Sequence, residues 1–187
     1  KWDEKLKAII NSTLSENITS LAGVPSWMLI LLNKILEDRN ETKIKEIWEN
    51  LEVYFHGGVN FNPYINQLWD DVRFYETYNA SEGFFAIQDR NDHSDMLLML
   101  DYGIYFEFEV LDKLNPEIIN LSKVKLNTNY AIIISTNAGL WRYKIGDTVK
   151  FTSLNPFRIK ITGRTKSFIN AFGEELIIEN AENALNK

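Results

Sequence analysis

The chain has 187 residues, 45% hydrophobic and 25% charged, with a formal net charge of -6, ordinary values for a globular protein. Acidic and basic residues are interspersed and no block of Lys or Arg occurs, which argues against a nucleic-acid partner. There is no cysteine and there are two histidines, so disulfide frameworks, thiolate metal sites and cysteine nucleophiles are excluded and a histidine metal cluster is disfavoured.

The first fifty residues read as helical. Trp2, Leu6, Ile9, Ile10 and Leu14 recur at steps of three and four, one face of an amphipathic helix. Gly23-Val24-Pro25 interrupts, and Pro25 suits the first position of a second helix. That helix, from Ser26 to Glu37, is apolar nearly all round and is expected to be buried. Its strongest apolar run, Trp27 to Leu32, is far too short to span a bilayer. Residues 1–25 lack a signal-peptide pattern, so a cytoplasmic protein with no membrane partner is the simplest reading. Ile44, Ile47 and Trp48 suggest a short third helix.

The period then changes. Leu51, Val53 and Phe55 alternate with Glu52, Tyr54 and His56, a strand pattern that runs into Gly57-Gly58. A helix or turn is expected from Pro63 to Trp69, and strands over 72–78 and 83–88. A polar loop follows over 89–95. Residues 96–100 and 104–110 flank Asp101-Tyr102-Gly103 and suggest a hairpin. Ala131 to Ser135 reads as a continuous apolar strand, with shorter strands at 149–151 and 158–161. Gly163-Arg164-Thr165-Lys166 breaks the pattern, and a helix is expected from Ile177. The fold class is mixed α/β, helical in its first third and strand-rich later. Lys1-Trp2-Asp3 enters a helix at once and the last residues stop inside a helical pattern, so an excised internal segment of a longer protein is expected.

Polar loops at strand ends are where α/β proteins tend to place ligands. Gly57-Gly58 allows close backbone approach to a flat ligand, or is an ordinary turn. Tyr78-Asn79-Ala80-Ser81-Glu82 offers an aromatic face on which adenine can stack, a hydroxyl at Ser81 for a phosphate oxygen, and a carboxylate at Glu82 for Mg²⁺. A surface turn with a capping residue fits the same residues. Trp141 to Asp147 is read as a loop joining two strands, with Asp147 placed to accept ribose hydroxyls or simply to close a Gly-Asp turn. Arg164 offers a fork of donors for phosphate or ribose oxygens, or makes a charged turn. Glu174 and Glu175 sit near an expected helix start, where the dipole favours acids. His56 lies at a strand end beside Gly57, and His93 lies in a polar run. Neither has the matched Ser and Asp of a catalytic triad.

The order of these loops resembles the Gretchen Hagen acyl-acid amido synthetase, or auxin-responsive promoter, family. The resemblance is carried by Ala22-Gly23-Val24-Pro25-Ser26-Trp27, His56-Gly57-Gly58-Val59-Asn60-Phe61, the stretch 78–84, Asp101-Tyr102-Gly103, the stretch 135–143, and Ile161-Thr162-Gly163-Arg164-Thr165-Lys166 through Asn170-Ala171-Phe172-Gly173-Glu174-Glu175. Single pieces are unspecific, whereas their order and density are specific. The family lies within the superfamily of acyl-CoA synthetases, adenylation domains and luciferases.

The resemblance implies that a carboxylic acid attacks the α-phosphate of ATP and that an amino-acid amine then displaces AMP, with Mg²⁺ on the phosphates. It implies backbone contact of Gly57, Gly58 and Val59 with adenine, Tyr78 lying along the ring, and Ser81 at the nucleotide. Glu82 is implied near the metal and phosphates, Asp147 on the ribose hydroxyls, and Arg164 on ribose or phosphate. Glu82 and Arg164 are thus the residues expected to act in catalysis. Lys166 would mark the hinge, so that residues 1–162 belong to a large domain and 163–187 begin a small C-terminal one. Lys144 stands where the superfamily commonly has Arg. The family's Ser/Thr/Gly-rich phosphate loop is expected upstream of residue 1, and the chain alone is expected not to complete adenylation. The residues leave two other readings open, an acyl-CoA ligase and a non-catalytic α/β interaction domain.

Overall fold

The computed structural model describes residues 2–58, 71–111, 116–165, 168–171 and 174–177. Two units are distinguishable, one formed by Lys1–Asn79 with Ile87–His93 and the other by Ala80–Ala86 with Ser94–Lys187.

In the first unit, helices α1 (Trp2–Thr13) and α2 (Pro25–Arg39) accompany three strands, β1 (Ser20–Gly23), β2 (Val53–His56) and β3 (Arg73–Ala80). All pairings are parallel, with Ala22 opposite Phe55 and Phe55 opposite Tyr75. Leu6 and Ile10 bring the buried stripe of α1 inward. Pro25 opens α2, and Asn40, in the left-handed conformation (φ 57), closes it with its N–H on the Glu37 carbonyl, the usual device for ending a helix. The core gathers Ile10, Leu32, Ile35, Ile44, Trp48, Leu51 and Tyr54. Two polar tips inside it find backbone acceptors, Trp48 Nε1 on Thr13 O (3.3 Å) and the Tyr54 hydroxyl on Gly23 O (2.7 Å). Burial raises the Tyr54 hydroxyl pKa well above its ordinary value.

The second unit is almost wholly strand: β4 (Gly83–Ile87), β5 (Met96–Leu98), β6 (Ile104–Val110), β7 (Ile118–Asn120), β8 (Asn129–Thr136), β9 (Tyr143–Leu154) and β10 (Phe157–Arg164), then a separate pair, β11 (Phe168–Ala171) and β12 (Glu174–Ile177). The order across the unit is β4-β5-β10-β9-β8-β6-β7. Ile104, Phe106, Phe108 and Val110 are buried along β6 while Tyr105, Glu107 and Glu109 point the other way, as the period of two requires. Phe108 meets Tyr130 and Phe151 edge-on at 5.9 and 5.1 Å, a favoured aromatic geometry.

Several expectations are corrected. Helix α2 is not buried all round. Its inward stripe is Pro25, Leu29, Leu32, Ile35 and Leu36, and Trp27 and Ile30 lie off it, 58% and 45% exposed. The third helix is a single 3-10 turn, Ile44–Glu46, started by the Glu46 carboxylate accepting the Thr42 and Lys43 N–H groups.

The stretches 96–100 and 104–110 do not form a hairpin. Strand β5 pairs with β10 and β6 pairs with β8 and β7, because the connecting bend at Gly103 (φ 73) is held elsewhere. Met99 N–H bonds Phe85 O on one side of the bend, and Gly103 O receives Asn137 N–H on the other. The stretch 143–147 is not a loop but the irregular first half of the twelve-residue strand β9. Glu174 and Glu175 lie on a strand, and Ile177 ends it rather than starting a helix. The expected helix beyond it and the segment from Pro63 to Trp69 lie outside the described residues.

Candidate functional site

Strand β2 delivers His56, Gly57 and Gly58 in turn. His56 is buried, 6% exposed, with its ring 5.9 Å from that of Tyr54. Loss of hydration lowers its pKa from the ordinary value to about 4, so it is neutral near pH 7. Gly57 is a glycine because β3 leaves no room: a Cβ there would strike the Thr77 carbonyl oxygen. The Thr77 hydroxyl also donates to His56 O at 3.1 Å. Gly58 has φ 83, left-handed backbone that a side chain resists. Tyr78 is 5% exposed and shares a face of β3 with Phe74 and Glu76, the partners in register of Tyr54 and His56. Val59 lies outside the described residues.

Ser81 and Glu82 form the turn after β3 and belong with the second unit. Ser81 is exposed and Glu82 half-buried. No other described residue forms an ion pair or hydrogen bond with the Glu82 carboxylate. Among the described residues there is no group of three or more His, Cys, Asp or Glu side chains able to cage a metal. An Mg²⁺ bound through one or two carboxylates and substrate phosphates does not depend on such a cage.

Asp147 and Arg164 face each other across β9 and β10 as register partners. Arg164 Nε lies 2.8 Å from Asp147 Oδ1, with the Arg side chain 62% exposed and the Asp side chain 17%. The pair is open to solvent on the Arg164 side, where screening weakens it. Gly146, immediately before Asp147, has φ 90. Its carbonyl accepts the Thr165 N–H at 2.8 Å and the Thr165 hydroxyl at 3.2 Å. Lys166 lies outside the described residues.

Beside this pair the sheet carries two ionic rungs. Glu107 takes both Arg142 Nε (2.9 Å) and an Arg142 terminal nitrogen (3.1 Å), and Glu109 holds Lys144 Nζ at 2.8 Å. Lys144 is therefore engaged with β6. Together with Glu109, Ala131, Gly146 and Thr165 it lines a cleft of about 210 Å³. No individual role is legible in the sequence for Asn129, Thr148, Thr162 or Thr165. The available signal was hydroxyl and amide side chains set within otherwise apolar strand patterns.

The fold is shared with solved ligase structures. It superimposes on a GH3.15 acyl acid amido synthetase with a TM-score of 0.74 over 98% of this chain and 42% of that one, at 16% identity. A 2-hydroxyisobutyryl-CoA ligase gives 0.64 over 97% of this chain and 44% of that one, also at 16% identity. Residues 1–72 match the GH3 family N-terminal domain and residues 97–164 the GH3 family central domain. The chain belongs to the GH3 family. A jasmonoyl-L-amino acid synthetase of Nicotiana attenuata is 48% identical over 57% of this chain. The chain spans 21% of that relative's length.

Proposed function

We propose that the protein carrying this chain is an ATP-dependent acyl acid amido synthetase. In the first step a carboxylate oxygen attacks the α-phosphorus of ATP and pyrophosphate leaves, giving an acyl adenylate. In the second, an amino-acid nitrogen attacks the acyl carbon, AMP leaves and the amine loses a proton. Such a site works chiefly by positioning and by neutralising phosphate charge. The role proposed for this chain is the adenine and ribose side of the site. Asp147 accepts the ribose hydroxyls, and Arg164, its partner at 2.8 Å, turns its free donors to ribose or phosphate. Gly57, Gly58, Val59 and Tyr78 border the base, Ser81 bonds a phosphate oxygen, and Glu82 is the carboxylate for Mg²⁺, which supplies positive charge to the phosphates. Residues 163–187 comprise the hinge, marked by Lys166, and the start of a small C-terminal domain, and the protein acts in the cytoplasm. Among the described residues no helix is long and apolar enough to cross a membrane.

The observation that carries the reading is the Asp147–Arg164 pair at the end of β10, within a chain of this family. The test is pyrophosphate release by the full-length protein with ATP, Mg²⁺ and a panel of carboxylic acids, with amino acids or coenzyme A offered as acceptors. Amide products are expected. Asp147→Ala should raise KM for ATP about 10- to 100-fold, the scale of a charge-assisted bond. Thioester products would favour the acyl-CoA ligase. An unchanged activity in both Asp147→Ala and Glu82→Ala would favour a non-catalytic domain.

A further inference from the structure

The two strands that carry Asp147 and Arg164 are both irregular at that point. On β10 the pairing passes from Ile161 opposite Val149 to Gly163 opposite Thr148, leaving Thr162 as an extra residue. On β9 the residues 145–147 stand against Ile132 alone, because pairing with β8 passes from Ile133 opposite Lys144 to Ala131 opposite Thr148. Bulged backbone loses part of its ladder hydrogen bonding. On the β8 side the backbone around Asp147 lacks regular pairing, so contacts from β10 and the residue after it help to fix the direction in which Asp147 leaves the sheet.

Two threonines supply them. Thr162 is 9% exposed. Its hydroxyl donates to Asn129 Oδ1 at 2.8 Å and lies 2.9 Å from the Thr148 hydroxyl. A hydroxyl has one proton. Thr162 gives its proton to Asn129, so Thr148 is the donor in the second contact, and the chain runs one way from β9 through β10 to β8. On the other side of Asp147, the Gly146 carbonyl is gripped by both donors of Thr165. The residues immediately before and after Asp147 are each tied to a threonine of the segment that carries Arg164.

We infer that Thr162 and Thr165 are positioning residues for the nucleotide ribose: Thr165 holds the Gly146 carbonyl before Asp147, Thr162 holds the Thr148 hydroxyl after it, and together they set the Asp147 carboxylate at the spacing from Arg164 that reads the sugar hydroxyls. Neither touches the nucleotide. The inference rests on the assignment of Asp147 to ribose made above.

The test uses the full-length protein, with KM for ATP, kcat, and the preference for ATP over 2′-deoxy-ATP and 3′-deoxy-ATP measured by pyrophosphate release. Thr162→Val and Thr165→Val should each raise KM for ATP about five- to tenfold with kcat changed less than about twofold. Both should narrow the preference over the deoxy nucleotides by a similar factor. Thr162→Ser should restore the native values. In the Asp147→Ala background, Thr162→Val should add nothing to KM. If Thr162→Val fails to fold, Thr165→Val carries the test, because it keeps its N–H bond to Gly146. Native KM and native preference in the folded threonine variants would overturn the inference, as would a loss of kcat with the preference intact, the pattern of a purely structural tie. If Asp147→Ala itself leaves KM and preference unchanged, the ribose assignment fails. If it acts and the threonine variants do not, only the positioning role fails.

Discussion

Protonating His56 should weaken the first unit, by an amount that follows from its burial. The ring is 6% exposed and its Nδ1 is sealed from solvent. Desolvation lowers its pKa from 6.5 to about 4. The unfolded chain therefore binds the proton more readily than the folded one between those values. Stability is full above pH 6.5 and is lost as pH falls toward 4. The whole span corresponds to about 3 kcal/mol at 1.36 kcal/mol per pKa unit, and about 2 kcal/mol should be gone between pH 7.5 and pH 5. The assay is urea unfolding at both pH values for the native protein and for His56→Gln, whose difference removes the carboxylates from the comparison. Histidine ring chemical shifts followed over the same range locate the titration directly. A native-minus-variant difference that does not change with pH, or a His56 resonance titrating near 6.5, would refute the argument.

Gly57→Ala should cost about 1–3 kcal/mol, since its Cβ would be forced on the Thr77 carbonyl oxygen, a backbone atom that cannot rotate away. A lowered denaturation midpoint checks this. Asp95→Ala should be more severe in the second unit. It removes the carboxylate 3.3 Å from the Arg158 guanidinium, which is 7% exposed, and truncating one side of a buried ion pair costs about 3–5 kcal/mol. It also removes the acceptor of the Thr152 hydroxyl at 2.7 Å. Thermal unfolding of Asp95→Ala against Asp95→Asn, which keeps the shape, separates charge from packing.

What the sequence revealed and what it hid divide along a physical line. Strand β6 was legible because burial alternates strictly along it and the residue types follow. Strand β8 was legible as an unbroken apolar run, Ala131 to Ile134, buried throughout. Partnership was not legible. The 96–110 stretch looks locally like a hairpin, yet its arms pair with strands tens of residues away, and hydrophobic pattern carries no address for a distant partner. The Trp141 to Asp147 stretch reads as a loop because Gly146-Asp147 is a turn signal. A glycine in a bulge and a glycine in a turn both need positive φ, and only tertiary pairing tells them apart. The inward turn of Thr162 follows from a second bulge, on β10. In α2 the apolar residues exceed what one buried stripe can accept, so composition overstated the burial of Trp27 and Ile30.

Asp147 and Arg164 belong to one β-hairpin, β9 and β10, joined at the exposed turn Asn155-Pro156. Leu154 at the tip lies seven steps along the strand from Asp147, a reach of about 20 Å. The hairpin is a handle as well as a scaffold. A fluorophore or epitope grafted at the tip would travel with the two charged residues as a single arm while standing well clear of them, so the Asp147–Arg164 end of the sheet can be tracked from the opposite end without altering either residue of the pair.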